Sequence, residues 1–105
     1  MSERTATTGD NGRQTIATTG TGVTLPSANG AKAILICALQ SISSAGASEN
    51  SDTILIGIGS APTWGASYTG IPLEQGDCLT ITIDETNDIY INGVAGDGVS
   101  YSFIY

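Results

Sequence analysis

GIPLEQGDCLTITIDETNDIYINGVAGDGVSYSFIY, residues 70–105, consists of short apolar-alternating runs separated by turn residues. Leu79, Ile81 and Ile83 alternate with Thr80 and Thr82, the pattern of a strand with one face on a core and the other in water. Between the runs stand Gln75-Gly76-Asp77, the polar stretch 84–88, Asn92-Gly93 and Gly96-Asp97-Gly98. Glycine there supplies positive φ and Asp or Asn bonds nearby backbone, so each reads as a turn. Strands of about five residues joined by such corners predict a compact antiparallel β domain.

The same pattern extends towards the N-terminus. In residues 53–59, TILIGIG, Ile54, Ile56 and Ile58 fall on one face, with Thr53, Leu55, Gly57 and Gly59 on the other. Glycines on one face leave room for another backbone or an aromatic ring. Residues 31–40, AKAILICALQ, form the most apolar run and predict a central strand buried on both faces. Two short strands are expected at 15–19 and 23–25, broken by Gly20 and Gly22, with a turn at Pro26 and Asn29-Gly30. Residues 41–52 are small and polar, a soft loop, and a second loop carries Pro62, Trp64 and Gly65.

Together these give an all-β fold: a small antiparallel β-sandwich of jelly-roll type, with about eight short strands and no helix. Residues 1–13 are polar and without period, and are expected to form a flexible N-terminal arm. Residues 14–105 form the single β-sandwich domain. A chain of 105 residues is expected to bury one hydrophobic core without metals or disulfides.

Three basic residues, Arg4, Arg13 and Lys32, stand against ten acidic ones, a net charge of −7. That sign repels phosphate backbones and anionic lipid surfaces, so neither nucleic acid nor membrane is an expected partner. No apolar run approaches the ~20 residues that span a bilayer. The first residues lack the apolar segment of a secretory leader, so the chain is expected to stay in the cytosol after synthesis or to leave by another route. Only 12% of residues are charged, which leaves a surface of backbone, hydroxyl and methyl suited to packing against other subunits.

Histidine is absent, and with it the commonest general acid–base and metal ligand. No Ser elbow, phosphate-binding loop or dinucleotide fingerprint occurs. Cys37 and Cys78 lie in apolar runs with no base or cation beside them, and are expected to be two reduced core thiols; the alternative is one disulfide across neighbouring strands. Asp77 and Asp97 sit beside glycine at turns and read as turn acids bonding their own backbone. Asp84, Glu85, Asn87 and Asp88 offer oxygen ligands without the spacing of a calcium loop. No catalytic residue, cofactor or metal site is therefore expected. Trp64 and Tyr68 are candidates for stacking on sugar rings, while Tyr101, Phe103 and Tyr105, on one face of the final strand, are candidates for a subunit interface.

TGIPLEQGD at 69–77, the alternating strand after it and IYINGVAGDGVSYSFIY at 89–105 resemble small structural proteins encoded in the virion gene clusters of tailed bacteriophages. In those proteins a GIPL-x-x-GD corner, an Asp-Ile-Tyr-Ile-x-Gly strand and a terminal Gly-Asp-Gly-Val-Ser-Tyr recur. The similarity covers about a third of the chain. It implies a β-sandwich virion component, a capsid decoration or cement protein made in the host cytoplasm and sited on the capsid surface. It implies no enzyme. On that reading the major capsid protein is the partner, Arg4 and Arg13 of the arm contact the capsid, and the protein is a homo-oligomer, with a trimer as the expected state. A carbohydrate-binding knob, or an adhesion module of the tail or baseplate, is the alternative.

Overall fold

The computed structural model describes residues 11–28, 30–83 and 88–105. Their strands, in chain order, are β1 (Asn11–Thr15), β2 (Val23–Thr24), β3 (Ala33–Ala38), β4 (Ile54–Ile58), β5 (Ile71–Leu73), β6 (Cys78–Thr82), β7 (Ile89–Asn92) and β8 (Gly98–Ile104). A 3-10 turn at Ser43–Ala45 is the one helical element among the described residues. The strands form two antiparallel four-stranded sheets, ordered β1-β8-β3-β6 and β2-β7-β4-β5. First pairs with last, second with seventh, third with sixth and fourth with fifth. Every connection except β4 to β5 passes from one sheet to the other. This is one long hairpin rolled up on itself, the jelly-roll topology.

Alternation decides which side chains fill the space between the sheets. From the first sheet come Ile34, Ile36 and Ala38 of β3, Val99 of β8 and Ile81 of β6; from the second come Ile54, Ile56, Leu73, Ile89 and Ile91. Ile36, Ile54, Ile56 and Ile91 are fully enclosed, and each such burial contributes about 1.5–3 kcal/mol relative to exposure.

Several expectations need correction. β3 is central in its sheet, yet only its inward positions are buried; Ala33, Leu35 and Cys37 are half-buried on the outer face. That face is where both cysteines lie. Cys37 and Cys78 are register partners on adjacent strands, with Cα atoms 4.0 Å apart, and they form a disulfide instead of two reduced core thiols. The apolar neighbours suggested burial, but inward Ile36 and Ala38 force Cys37 outward, opposite an exposed Cys78.

Tyr101 and Phe103 also differ from expectation. Both point into the sandwich and are buried, with ring centroids 5.5 Å apart in an edge-to-face arrangement, and Tyr105 packs against the same core. Tyr101 and Phe103 belong to the core instead of an exposed strand face, because β8 is flanked by β1 and β3 and its aromatic face is the inner one.

The boundary expected at residue 13 also needs correction. Asn11, Gly12 and Arg13 belong to β1, which pairs with β8 from Asn11↔Ser102 to Thr15↔Gly98. No apolar period marks β1 because Gly12 presents no side chain to the core; the Tyr101 ring crosses it so closely that a Cβ there would collide with the phenol. Arg13 is therefore an exposed strand residue opposite Ser100, and Arg4 lies outside the described residues. Asn92 is the buried end of β7 and not a turn residue. Asp77 does bond its own corner, accepting from the Glu74 amide at 3.1 Å, whereas Asp97 bonds a different loop altogether.

Candidate functional site

A cleft of about 720 Å³ opens on the outer face of the second sheet. Its floor begins with β4, where Leu55 points outward and is nevertheless 1% exposed. Pro72 is its register partner on β5 and Asn92 its partner on β7. The cover over this face comes from residues 59–70, the long connection between β4 and β5. That segment returns across Gly57, where a Cβ would collide with the Ser60 carbonyl oxygen and lie 2.7 Å from Pro62 Cδ. Glycine at 57 is what lets the loop lie down.

Buried Asn92 fastens the loop from below. Its Nδ2 donates to the Pro62 carbonyl at 3.0 Å and to the Gly20 carbonyl at 3.1 Å, while its Oδ1 accepts from the Gly93 amide at 2.8 Å. The loop closes on itself above: the Thr63 amide donates to Thr69 Oγ1 at 2.8 Å and the Thr69 amide to the Thr63 carbonyl at 3.1 Å. Between these two residues the chain presents Trp64 and Tyr68 to the cleft. Trp64 is half-buried, and Tyr68 is 52% exposed.

Asp52 and Glu74 complete the cleft, one just before β4 and the other just after β5. Both are exposed. Asp52 Oδ1 accepts from the Thr53 amide at 2.7 Å, which fixes the carboxylate at the rim. A smaller hollow of about 260 Å³ adjoins and shares Asp52, Thr53 and Glu74 with it, extending the groove past Ser51 and Gln75. Of the cations among the described residues, Arg13 and Lys32, neither lines the cleft. The arrangement offers two aromatic rings, an apolar floor and two hydrogen-bond-accepting carboxylates. Such a set binds by stacking and hydrogen bonding.

Trp64 and Tyr68, the candidates for stacking on sugar rings, both line this cleft. Asp52, Glu74 and Leu55 were not singled out by sequence. The pairing of β4 with β5, which begins at Ile54↔Leu73, brings the segment before β4 and the segment after β5 to the same end of the sheet, and with them Asp52 and Glu74 to one cleft. That pairing joins strands twelve residues apart and has no short-turn signature. Arg13 lies apart, on the outer face of the first sheet in one row with Ser100, Cys37 and Cys78.

Among the described residues no group of three or more His, Cys, Asp or Glu gathers to hold a metal ion. Asp84, Glu85 and Asn87 of the acidic turn lie outside the described residues. No helix among the described residues is long and apolar enough to cross a membrane. In comparison with known proteins, the chain matches no family model, no curated protein and no solved structure.

Proposed function

We propose that this chain is a non-enzymatic structural protein of a tailed-bacteriophage particle, a capsid decoration protein that binds the assembled head as a homo-oligomer. The observation that carries the proposal is the outer face of the first sheet. Ala33, Leu35, Thr80, Thr82, Ser102 and Ile104 lie there, and Arg13 is the single charge on the strands of that face. Ile104 is an exposed large apolar residue and Leu35 is only half-covered. A strand face depleted of charge in a chain of net charge −7 is suited to a like face or to a capsid subunit. This face replaces the buried aromatic residues as the proposed seam, with the capsid and a trimeric state as the partners under test. The resemblance of residues 69–77 and 89–105 supports the virion assignment. So does the disulfide on the same face, since such bonds persist where a protein works outside a reducing cytoplasm.

Two results test this reading together. Analytical ultracentrifugation of the full chain is expected to give an oligomer, with Thr80→Arg and Ile104→Arg each giving a monomer whose far-ultraviolet circular dichroism is that of the folded chain. Cryo-electron microscopy of the particle is expected to show density for the protein on the head lattice. A monomer at all concentrations, or density at the tail alone, overturns the decoration reading.

One observation favours a second reading, an adhesion module that binds carbohydrate: the cleft that Trp64, Tyr68 and Leu55 line together. Asp52 and Glu74 are exposed there and lack the apolar enclosure of a proton-donating catalytic carboxyl, which supports binding without turnover. A glycan array probed with the full chain separates the two readings.

A further inference from the structure

We infer that the Trp64–Tyr68 cleft selects a cationic saccharide, one carrying a protonated amine, over its neutral or anionic counterparts; this rests on the adhesion reading of that cleft. Four groups act in the same direction. The faces of Trp64 and Tyr68 carry the negative side of the ring quadrupole and attract an ammonium placed over them. The carboxylates of Asp52 and Glu74 stand at the rim, with neither Arg13 nor Lys32 among the lining residues to neutralise them.

The rest of the chain reinforces this sign. Ten acidic residues against three basic ones give the chain a net charge of −7, which attracts a cationic ligand to any concave site on it. A sulfated, phosphorylated or carboxylated sugar meets repulsion from Asp52 and Glu74 on entry. A neutral sugar gains stacking and hydrogen bonds alone. An amino sugar gains those contacts and, in addition, cation–π and charge-assisted bonds.

Size is consistent with the same ligand. A cavity of about 720 Å³ falls within the ordinary range for small-molecule sites, roughly 300–1,000 Å³, and the adjoining hollow past Ser51 extends it for a further unit. Leu55 and Pro72 supply an apolar floor for the C–H face of a ring, leaving polar edges towards Asp52, Thr53 and Glu74.

The test titrates the full chain with a glucosamine oligomer and with the same oligomer N-acetylated, reading Trp64 fluorescence, at a pH where the free amine is protonated. The amine form is expected to bind about tenfold more tightly, and added salt to narrow the difference. Asp52→Asn and Glu74→Gln are each expected to reduce that preference without a change in melting temperature, since both side chains are exposed. Equal binding of the two oligomers, or a preference that survives both substitutions, overturns the cationic selection while leaving the cleft a sugar site. Failure of both oligomers to bind overturns the selection and the adhesion reading together.

Discussion

The carboxylate of Asp97 holds Ser51 at two points: the Ser51 amide donates to Oδ1 at 2.8 Å, and its hydroxyl lies 3.0 Å from Oδ1 and 3.0 Å from Oδ2. Oδ2 also accepts from the Asp52 amide at 3.0 Å. Asp97 is 4% exposed, so these donors replace water around its charge. Beside it, buried Asn50 donates to the Gly98 carbonyl at 3.0 Å and accepts from the Gly98 amide at 2.8 Å. The soft loop at 41–52 is thereby anchored at its last residues, and Asp52 is held at the rim of the cleft. Asp97→Asn puts an NH₂ group opposite donors and removes the charge. It is expected to cost about 2 kcal/mol and lower the melting temperature by roughly 10 °C. Asp77→Asn, at an exposed corner, is the control and is expected to cost well under half as much; equal shifts refute the anchoring role.

The Cys37–Cys78 disulfide links residues 41 apart in sequence on strands that are already paired. In the chain-entropy account, closing a loop of that length in the unfolded state contributes up to roughly 4 kcal/mol. Replacing both cysteines by alanine is expected to lower stability by up to that amount. The hydrogen-bonded ladder of β3 and β6 remains, so far-ultraviolet circular dichroism should be unchanged. Alkylation of the unreduced wild-type protein is expected to label no thiol. Two labelled cysteines in protein purified without reductant is the contrary result.

What the sequence disclosed and what it withheld divides along the same physical line. Period-2 alternation at 53–59 and 79–83 is a local property: it groups Ile54 and Ile56 on one face and sets Ile81 on a core face, and all three are buried, whereas Ile58 at the end of β4 is exposed. Pairing is not local. Nothing near Asn11 announces that β8 will offer it an edge, and nothing in residues 59–70 announces that they will lie back over Leu55. The run at 31–40 was misread because its outward positions, Ala33, Leu35 and Cys37, are themselves apolar, so composition masked the alternation that would have placed the two cysteines on the outer face. For the cleft, Trp64 and Tyr68 stood out as aromatic residues in a loop, while Asp52 and Glu74 became visible only through the Ile54↔Leu73 register.

Gly57 leaves room for the β4–β5 connection to pass close to β4. Its Cα faces the Ser60 carbonyl and the Pro62 ring, and any side chain there must push residues 59–70 away from β4. Gly57→Val is expected to destabilise the domain by about 1–3 kcal/mol, the usual cost of overpacking. It should also move the Trp64 emission maximum to longer wavelength as the loop lifts and water reaches the ring. An unaltered emission spectrum in a folded variant means the loop is held by Asn92 alone.

Tyr101 separates a core role from an interface role. Its ring lies over Gly12, meets Phe103 edge-to-face and is buried within the sandwich. Truncation to alanine removes an aromatic side chain from a closed core, a change that costs about 3–5 kcal/mol. The loss is expected in the unfolding free energy of the chain and to be independent of protein concentration. A seam residue behaves otherwise: its truncation shifts the concentration at which subunits separate and leaves the stability of the dissociated chain nearly intact. Tyr68→Ala, at a 52% exposed position in the cleft, is the internal comparison and is expected to change stability by less than about 0.5 kcal/mol. Chemical denaturation of both variants at two well-separated protein concentrations distinguishes these cases. A concentration-dependent midpoint for Tyr101→Ala beyond that of the wild-type chain would return the aromatic face of β8 to the subunit interface.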